Sequence, residues 1–222
     1  MPAAGRHHPF LKEFHMGKLL LPLLLFPVTA SASPKPKLPR KYLQVPLVKQ
    51  ETSYSCCPAA LLAVMRYWGV YEGDEAELYP LLGTSPEEGT HPKSIKNVAA
   101  AHGLSARFEQ DMTLKRLSRA LKNGETAILD IQAWRKECST MTWEQTWEEG
   151  HYVALVAQDS HFLYVMDPSM PGSYGYIPLD EFESRWHDYA NEGGQRIEYR
   201  RSAILISGDR RPQTRPKVER VE

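Results

Sequence analysis

Cys56 and Cys57 stand where a polar stretch turns apolar at helical spacing, in "QETSYSCCPAALLAVMRYWG" (residues 50–69). A thiol attacks a carbonyl only as its thiolate. A helix N-terminus or a nearby imidazolium lowers a cysteine pKa, to about 3.5–7.5 in reactive sites. The start of this helix meets the first condition. The second needs a histidine brought close by the fold, and a group to orient it. His151 opens the run "GHYVALVAQD", directly after Gly150, where a strand edge can present an imidazole to a cleft. Asp167 ends the next run in "YVMDP". If those two strands are neighbours, Asp167 accepts a hydrogen bond from the His151 ring and fixes its tautomer. Gln50 lies six residues before Cys56, and its amide can turn toward the Cys56 backbone N–H as a second oxyanion donor. Each residue has a plainer reading. A lone cysteine is commonly a small buried hydrophobe, Asp-Pro commonly opens a turn, and a glutamine before a loop is ordinary.

The elements that must position these groups are legible in outline. Ala60, Leu61, Val64, Met65 and Trp68 recur at helical spacing over Cys56 to Tyr67. Ser55 is the expected cap, Pro58 suits the first turn and Gly69 the end. Asp74 to Leu82, "HPKSIKNVAAAHG" and "TLKRLSRALKNG" read as further helices, the last capped by Thr113 and closed by Gly124. "LSARFEQ" is a candidate strand. "TAILDIQAW", "HYVALVAQD", "FLYVMDP" and "RRSAILIS" are β-type runs, with "LDEFESRWHDY" as a helix between the last two. Helices dominate the first half and strands the second, which predicts an α+β fold with segregated layers.

The chain has 222 residues and is 42% hydrophobic, enough for one domain with appendages. Its formal net charge is zero, so no global field draws it to nucleic acid or acidic lipid. No repeat, Walker loop or dinucleotide fingerprint is present. Residues 1–32 read as a signal peptide, with Met16 as an alternative start. A lysine precedes an apolar run from Leu19 to Val28, and Ala30-Ser31-Ala32 suits signal-peptidase cleavage. That run is too short to span a bilayer, which takes about twenty residues, so no stable membrane anchor is expected in the mature form. The expectation is export to the periplasm or beyond. A Pro/Lys-rich linker (33–42), a folded domain (43–207) and a charged, disordered tail (208–222) follow. Three cysteines in an oxidising compartment leave at least one unpaired.

In order and spacing, "QETSYSCCPAAL…YWG", "GHYVALV" and "MDP" resemble the C39 family of papain-like cysteine peptidases, and most nearly its stand-alone, exported members. Gln50 precedes Cys56 by six residues, and His151 precedes Asp167 by sixteen. "QAW" at 132–134 and "LDEFESRWHDY" at 179–189 add to the likeness, which runs from about Val45 to Ile206. The resemblance implies a papain-like fold, with the N-terminal helices packed on an antiparallel sheet from the C-terminal half. It also implies Cys56 as nucleophile, His151 as general base and then acid, Asp167 as orienter and Gln50 as oxyanion donor. The reaction would hydrolyse a peptide bond of a peptide or protein substrate through a thioester, with no metal or organic cofactor. One departure stands out: where the family has glycine after the nucleophile, this chain has Cys57. Either Cys57 pairs with Cys138 and leaves Cys56 free, or Cys56 is itself the oxidised partner.

Two other functions share these residues. The thioester can pass to an amine, which makes a transferase or amidase. A domain without turnover can simply bind peptides. The remaining features read structurally. Trp143 and Trp147 suit a packed surface segment that can also line the cleft. Arg185, Trp186, His187 and Asp188 suit a helix end. His91 and His102 suit capping or surface positions, and His7 and His8 lie in the segment to be removed.

Overall fold

A computed structural model describes residues 35–135 and 139–209. The signal segment, the tail beyond 209 and Cys138 lie outside the described residues. The described chain begins helical: α1 (Cys56–Trp68), a 3-10 turn (Glu75–Glu77), α2 (Leu78–Leu82) and α3 (Pro92–Ala101). After β1 (Ser105–Glu109) and α4 (Leu114–Lys122) come β2 (Thr126–Gln132), a 3-10 turn (Trp143–Gln145), β3 (Gly150–Gln158), β4 (Phe162–Met166) and β5 (Gly175–Pro178). α5 (Leu179–Arg185), β6 (His187–Glu192), β7 (Gln195–Arg200) and β8 (Ala203–Ser207) complete it. Six strands form one antiparallel sheet in the order β1-β8-β2-β3-β4-β5, and β6 and β7 form a separate hairpin.

The α+β architecture is the expected one, and the sheet is covered on both faces. α1 lies on one face. Its Leu61, Val64 and Met65 are fully buried against Ile128, Ala154, Ile204 and Ile206. Leu129, Val153 and Leu155 point to the other face, where Leu117 of α4 and Phe182 and Trp186 at α5 cover them. Burial on both sides explains why β2 and β3 read as near-continuous apolar runs and not as alternating ones. Burying such a side chain is worth about 1.5–3 kcal/mol. α1, buried on nearly every side, is therefore a rigid post for Cys56.

Three expectations need correction. The helix expected over 179–189 ends at Arg185. The Trp186 indole N–H donates to the Ser202 carbonyl (2.7 Å) and the Trp186 carbonyl accepts from Arg201 N–H (2.8 Å). These tertiary bonds override helical propensity and send His187 onward into β6. The Gly193-Gly194 turn, with both φ positive, then closes a tight hairpin that only such residues allow. The linker is not free along its whole length: Leu38 and Tyr42 pack against the core, and the Lys37 backbone exchanges hydrogen bonds with the Tyr164 hydroxyl. Ser55 holds the N-cap position of α1 without capping it. Its hydroxyl accepts from Thr52 N–H (3.0 Å) and so shapes the turn before the helix. Among the described residues, no helix is long and apolar enough to cross a membrane.

Candidate active site

β3 and β4 are neighbours, with Ala154 opposite Met166. One step further along that register sets Asp167 opposite Val153, two residues from His151 and on the same face. Such diagonal neighbours are within reach of long side chains, and the His151 Nε2–H donates to Asp167 Oδ1 at 2.7 Å. The same oxygen accepts from the Ser169 N–H and hydroxyl, both at 2.8 Å. Asp167 therefore opens a turn and orients the imidazole at once. With Nε2 committed, Nδ1 is the ring nitrogen left for the Cys56 sulfur, whose proximity helps raise the ring's pKa. Trp134, just past the end of β2, lies tilted against the ring, with centroids 4.7 Å apart and planes at 53°. Arg185 holds that exit in place by donating to the Gln132 and Ala133 carbonyls (2.9 and 3.1 Å).

The His151 side chain is only 1% exposed. Burial alone would push its imidazolium pKa down. The Asp167 hydrogen bond and the adjacent Cys56 outweigh that and hold it at about 9. Burial would likewise raise Asp167, and the His151 bond and the Ser169 donors bring it below its usual range. The ring thus stabilises the fold fully below the unfolded histidine value of about 6.5 and stops doing so as pH rises through about 9. The carboxylate stabilises above its unfolded value and ceases to as pH falls through its depressed one. The unfolding free energy read from urea titrations should therefore fall between pH 6.5 and 9, by an amount on the order of 1–3 kcal/mol. A flat profile there would exclude the charged pair.

The two cysteines have different surroundings. Among the described residues neither is in a disulfide, and Cys56 is half-buried and Cys57 buried. Cys56 lines a cavity of about 300 Å³. Cys57 points inward, and burial, with Cys56 beside it, pushes its thiol pKa up. The Cys57–Cys138 pairing falls outside the described residues. Gln50 is tied to the far side of the site by its backbone N–H, which donates to the Pro168 carbonyl at 3.0 Å. Its side-chain Nε2 donates to the Thr52 carbonyl (2.6 Å) and Oε1 is buried without a donor among the described residues. One proton of Nε2 is left uncommitted. Among the described residues no side chain caps the first turn of α1 and none in that turn is acidic, so no group within the helix offsets its positive end at Cys56.

Sequence reasoning missed Trp134 as the cover of His151, and it missed two buried carboxyl groups. Asp130, in the middle of β2, is 2% exposed. Asp188 in β6 lies against it, and burial followed by its neighbour's charge pushes the Asp130 pKa far up. A single acid inside the apolar run "TAILDIQ" was the available signal. Asp188 Oδ2 sits so near the Gly150 backbone that a Cβ there would lie 2.0 Å from it. Gly150→Ala should therefore cost about 1–3 kcal/mol, read as a lowered thermal midpoint. An unchanged midpoint would mean that Asp188 moves freely. His91 caps α3 by accepting from Lys93 N–H, and of the two tryptophans read first as a packed surface segment, Trp147 lines the cavity and Trp143 does not. Among the described residues, no group of three or more His, Cys, Asp or Glu side chains is arranged to hold a metal.

Comparisons place this geometry among known proteins. The described fold resembles a putative C39-like peptidase from Bacillus anthracis (TM-score 0.55, 16% identity, 75% of this chain and 98% of that one). It also resembles the peptidase domain of the Streptococcus ABC transporter ComA (0.54, 20%, 74% and 99%). A third likeness is to a double glycine motif protease of an AMS/PCAT transporter, solved with its leader peptide (0.52, 17%, 75% and 94%). In sequence, an uncharacterized protein of Methanothermobacter marburgensis is 31% identical over 128 residues, which is 56% of this chain and 72% of that protein. The model of the Peptidase_C39 like family matches residues 42–194, the span that holds Cys56, His151 and Asp167, and the chain belongs to that family.

Proposed function

We propose that this chain is an exported cysteine peptidase that hydrolyses peptide bonds, with Cys56 as nucleophile, His151 as base and acid, Asp167 as orienter and Gln50 as oxyanion donor. The observation that carries this reading is the bond from the buried imidazole to Asp167, with the half-buried Cys56 close enough to the ring to perturb it. The Asp167 carboxylate keeps one ring proton on Nε2, so Nδ1 is the nitrogen that takes the Cys56 proton, and the ring holds it as an imidazolium up to about pH 9. The sulfur then adds to the substrate carbonyl carbon. The charge on oxygen is met by the Cys56 N–H and by the uncommitted Gln50 amide proton. His151 returns its proton to the leaving amine as the C–N bond breaks, and a thioester remains. Water, deprotonated by the same imidazole, cleaves the thioester and frees the acid and the thiol. Export follows from the sequence of residues 16–32. A peptide substrate fits the family, and one structural neighbour was solved with a leader peptide.

Brief alkylation of the exported protein, followed by peptide mapping, tests the assignment. Cys56 should label fast at mildly acidic pH while Cys57 and Cys138 lag. A Cys56 found in a disulfide, or inert after reduction, would leave the fold without this reaction.

A further inference from the structure

The cavity beside Cys56 is lined by four carboxylates, Asp188, Glu87, Glu88 and Glu148, and by no lysine, arginine or histidine. Four aromatic side chains, Tyr54, Trp147, Tyr152 and Tyr189, are also in its wall, among small and polar residues. Glu88 accepts from Asn191 (2.9 Å) and Glu148 from Tyr189 (3.3 Å), with Arg196 at 4.0 Å from Glu148 but outside the cavity lining. Asp188 accepts from Gln132 (3.2 Å).

A second observation is independent of that cluster. Asp130 pairs directly opposite Tyr152 across β2 and β3, so its side chain shares the face on which Tyr152 lines the cavity. It is 2% exposed, and its Oδ1 has no hydrogen-bond donor among the described residues. Its charged or ionisable neighbours include Asp188, Tyr152 and Cys56, three residues of the cavity wall. The two carboxyl groups share a buried place with no basic residue in the cavity lining, which is why burial and Asp188 push the Asp130 pKa up. The close seat that Gly150 leaves for Asp188 keeps them there.

We propose that this cavity is a subsite for a cationic side chain, lysine or arginine, of the peptide substrate, received by Asp188 with Asp130 as the buried carboxyl group behind it. Tyr54 and Tyr152 are free to take the apolar stem and Asp188 the head, while Arg196 and Arg200 already lie over the Tyr189 and Trp147 rings. The cavity volume of about 300 Å³ suits one long side chain. This inference rests on the peptidase reading for its substrate, and the test separates the two.

Peptides identical except for one residue near the scissile bond, set to lysine, arginine, norleucine or glutamate, are offered to the full exported chain. The basic peptides should be cleaved at least about tenfold better in kcat/KM than the norleucine peptide, a difference of about 1.4 kcal/mol. Asp188→Asn should collapse that ratio. Glu87→Gln, on an exposed loop where folding is not at stake, should lower it by a smaller factor. In parallel, Cys56 is labelled with a cationic and an anionic methanethiosulfonate. The cationic reagent should lead, and by less in Asp188→Asn. Cleavage with no charge preference would overturn the subsite and leave the peptidase reading intact. No cleavage, with a cationic labelling preference that depends on Asp188, would sink the peptidase reading and keep the subsite.

Discussion

Cys56→Ala is expected to abolish peptide turnover, by on the order of 10⁴-fold or more, with little change in the unfolding midpoint. Cys56 is the first residue of α1 and only half-buried, so losing its sulfur opens no core cavity. The thioester, however, has no other atom from which to form. Cys57→Ala should do the reverse. That thiol is 1% exposed within the core, and its removal should cost about 1 kcal/mol while turnover persists. Paired kcat/KM and urea measurements on the two variants check both halves. Retained activity in Cys56→Ala, or lost activity in a folded Cys57→Ala, would transfer the nucleophile to the neighbouring position or remove it from the pair.

Changes at Asp167 should have the next largest effect, and two substitutions separate its roles. Asp167→Ala removes the acceptor that keeps the ring proton on Nε2, and kcat/KM should drop by about 10²–10⁴-fold. Asp167→Asn keeps an oxygen where Oδ1 now accepts from His151 and from Ser169, so it should retain more activity. It loses the negative charge, though, and the carboxylate is the main group holding the His151 pKa up near 9 against burial. The alkaline limb of the rate profile should therefore move to lower pH in Asp167→Asn. A limb that stays put would show that Asp167 positions the ring sterically and does not support its charge.

Much of the fold is legible in the amino-acid sequence. The helix over 56–68 is visible because nearly every side of it is apolar, and the strands because both faces of the sheet are buried. Thr113 is readable as a cap because the bond it makes, to Arg116 N–H three residues on, is local. Other features depend on partners far along the chain. The helix expected through Tyr189 stops because Trp186 is claimed by Ser202 and Arg201. The Gly193-Gly194 pair does carry a hairpin signal, and the apparent helix masks it.

The amino-acid sequence by itself pointed to the family, to the helices of the first half, to the strands β1, β2, β3, β4 and β8, and to the spacings six and sixteen that single out Gln50, Cys56, His151 and Asp167; β5 and the β6–β7 hairpin were not legible there. Spacing survives in sequence because those residues sit at fixed places on local elements. Only the tertiary structure decided that Cys56 lines the cavity while Cys57 turns into the core, since adjacent residues of a helix point about 100° apart and sequence does not say which one meets the cleft. Only it brought Trp134 onto His151 and Asp188 against Asp130, across separations of 17 and 58 residues. Those contacts follow from strand order and from the return of β6 to the sheet, which depend on the packing of the whole domain.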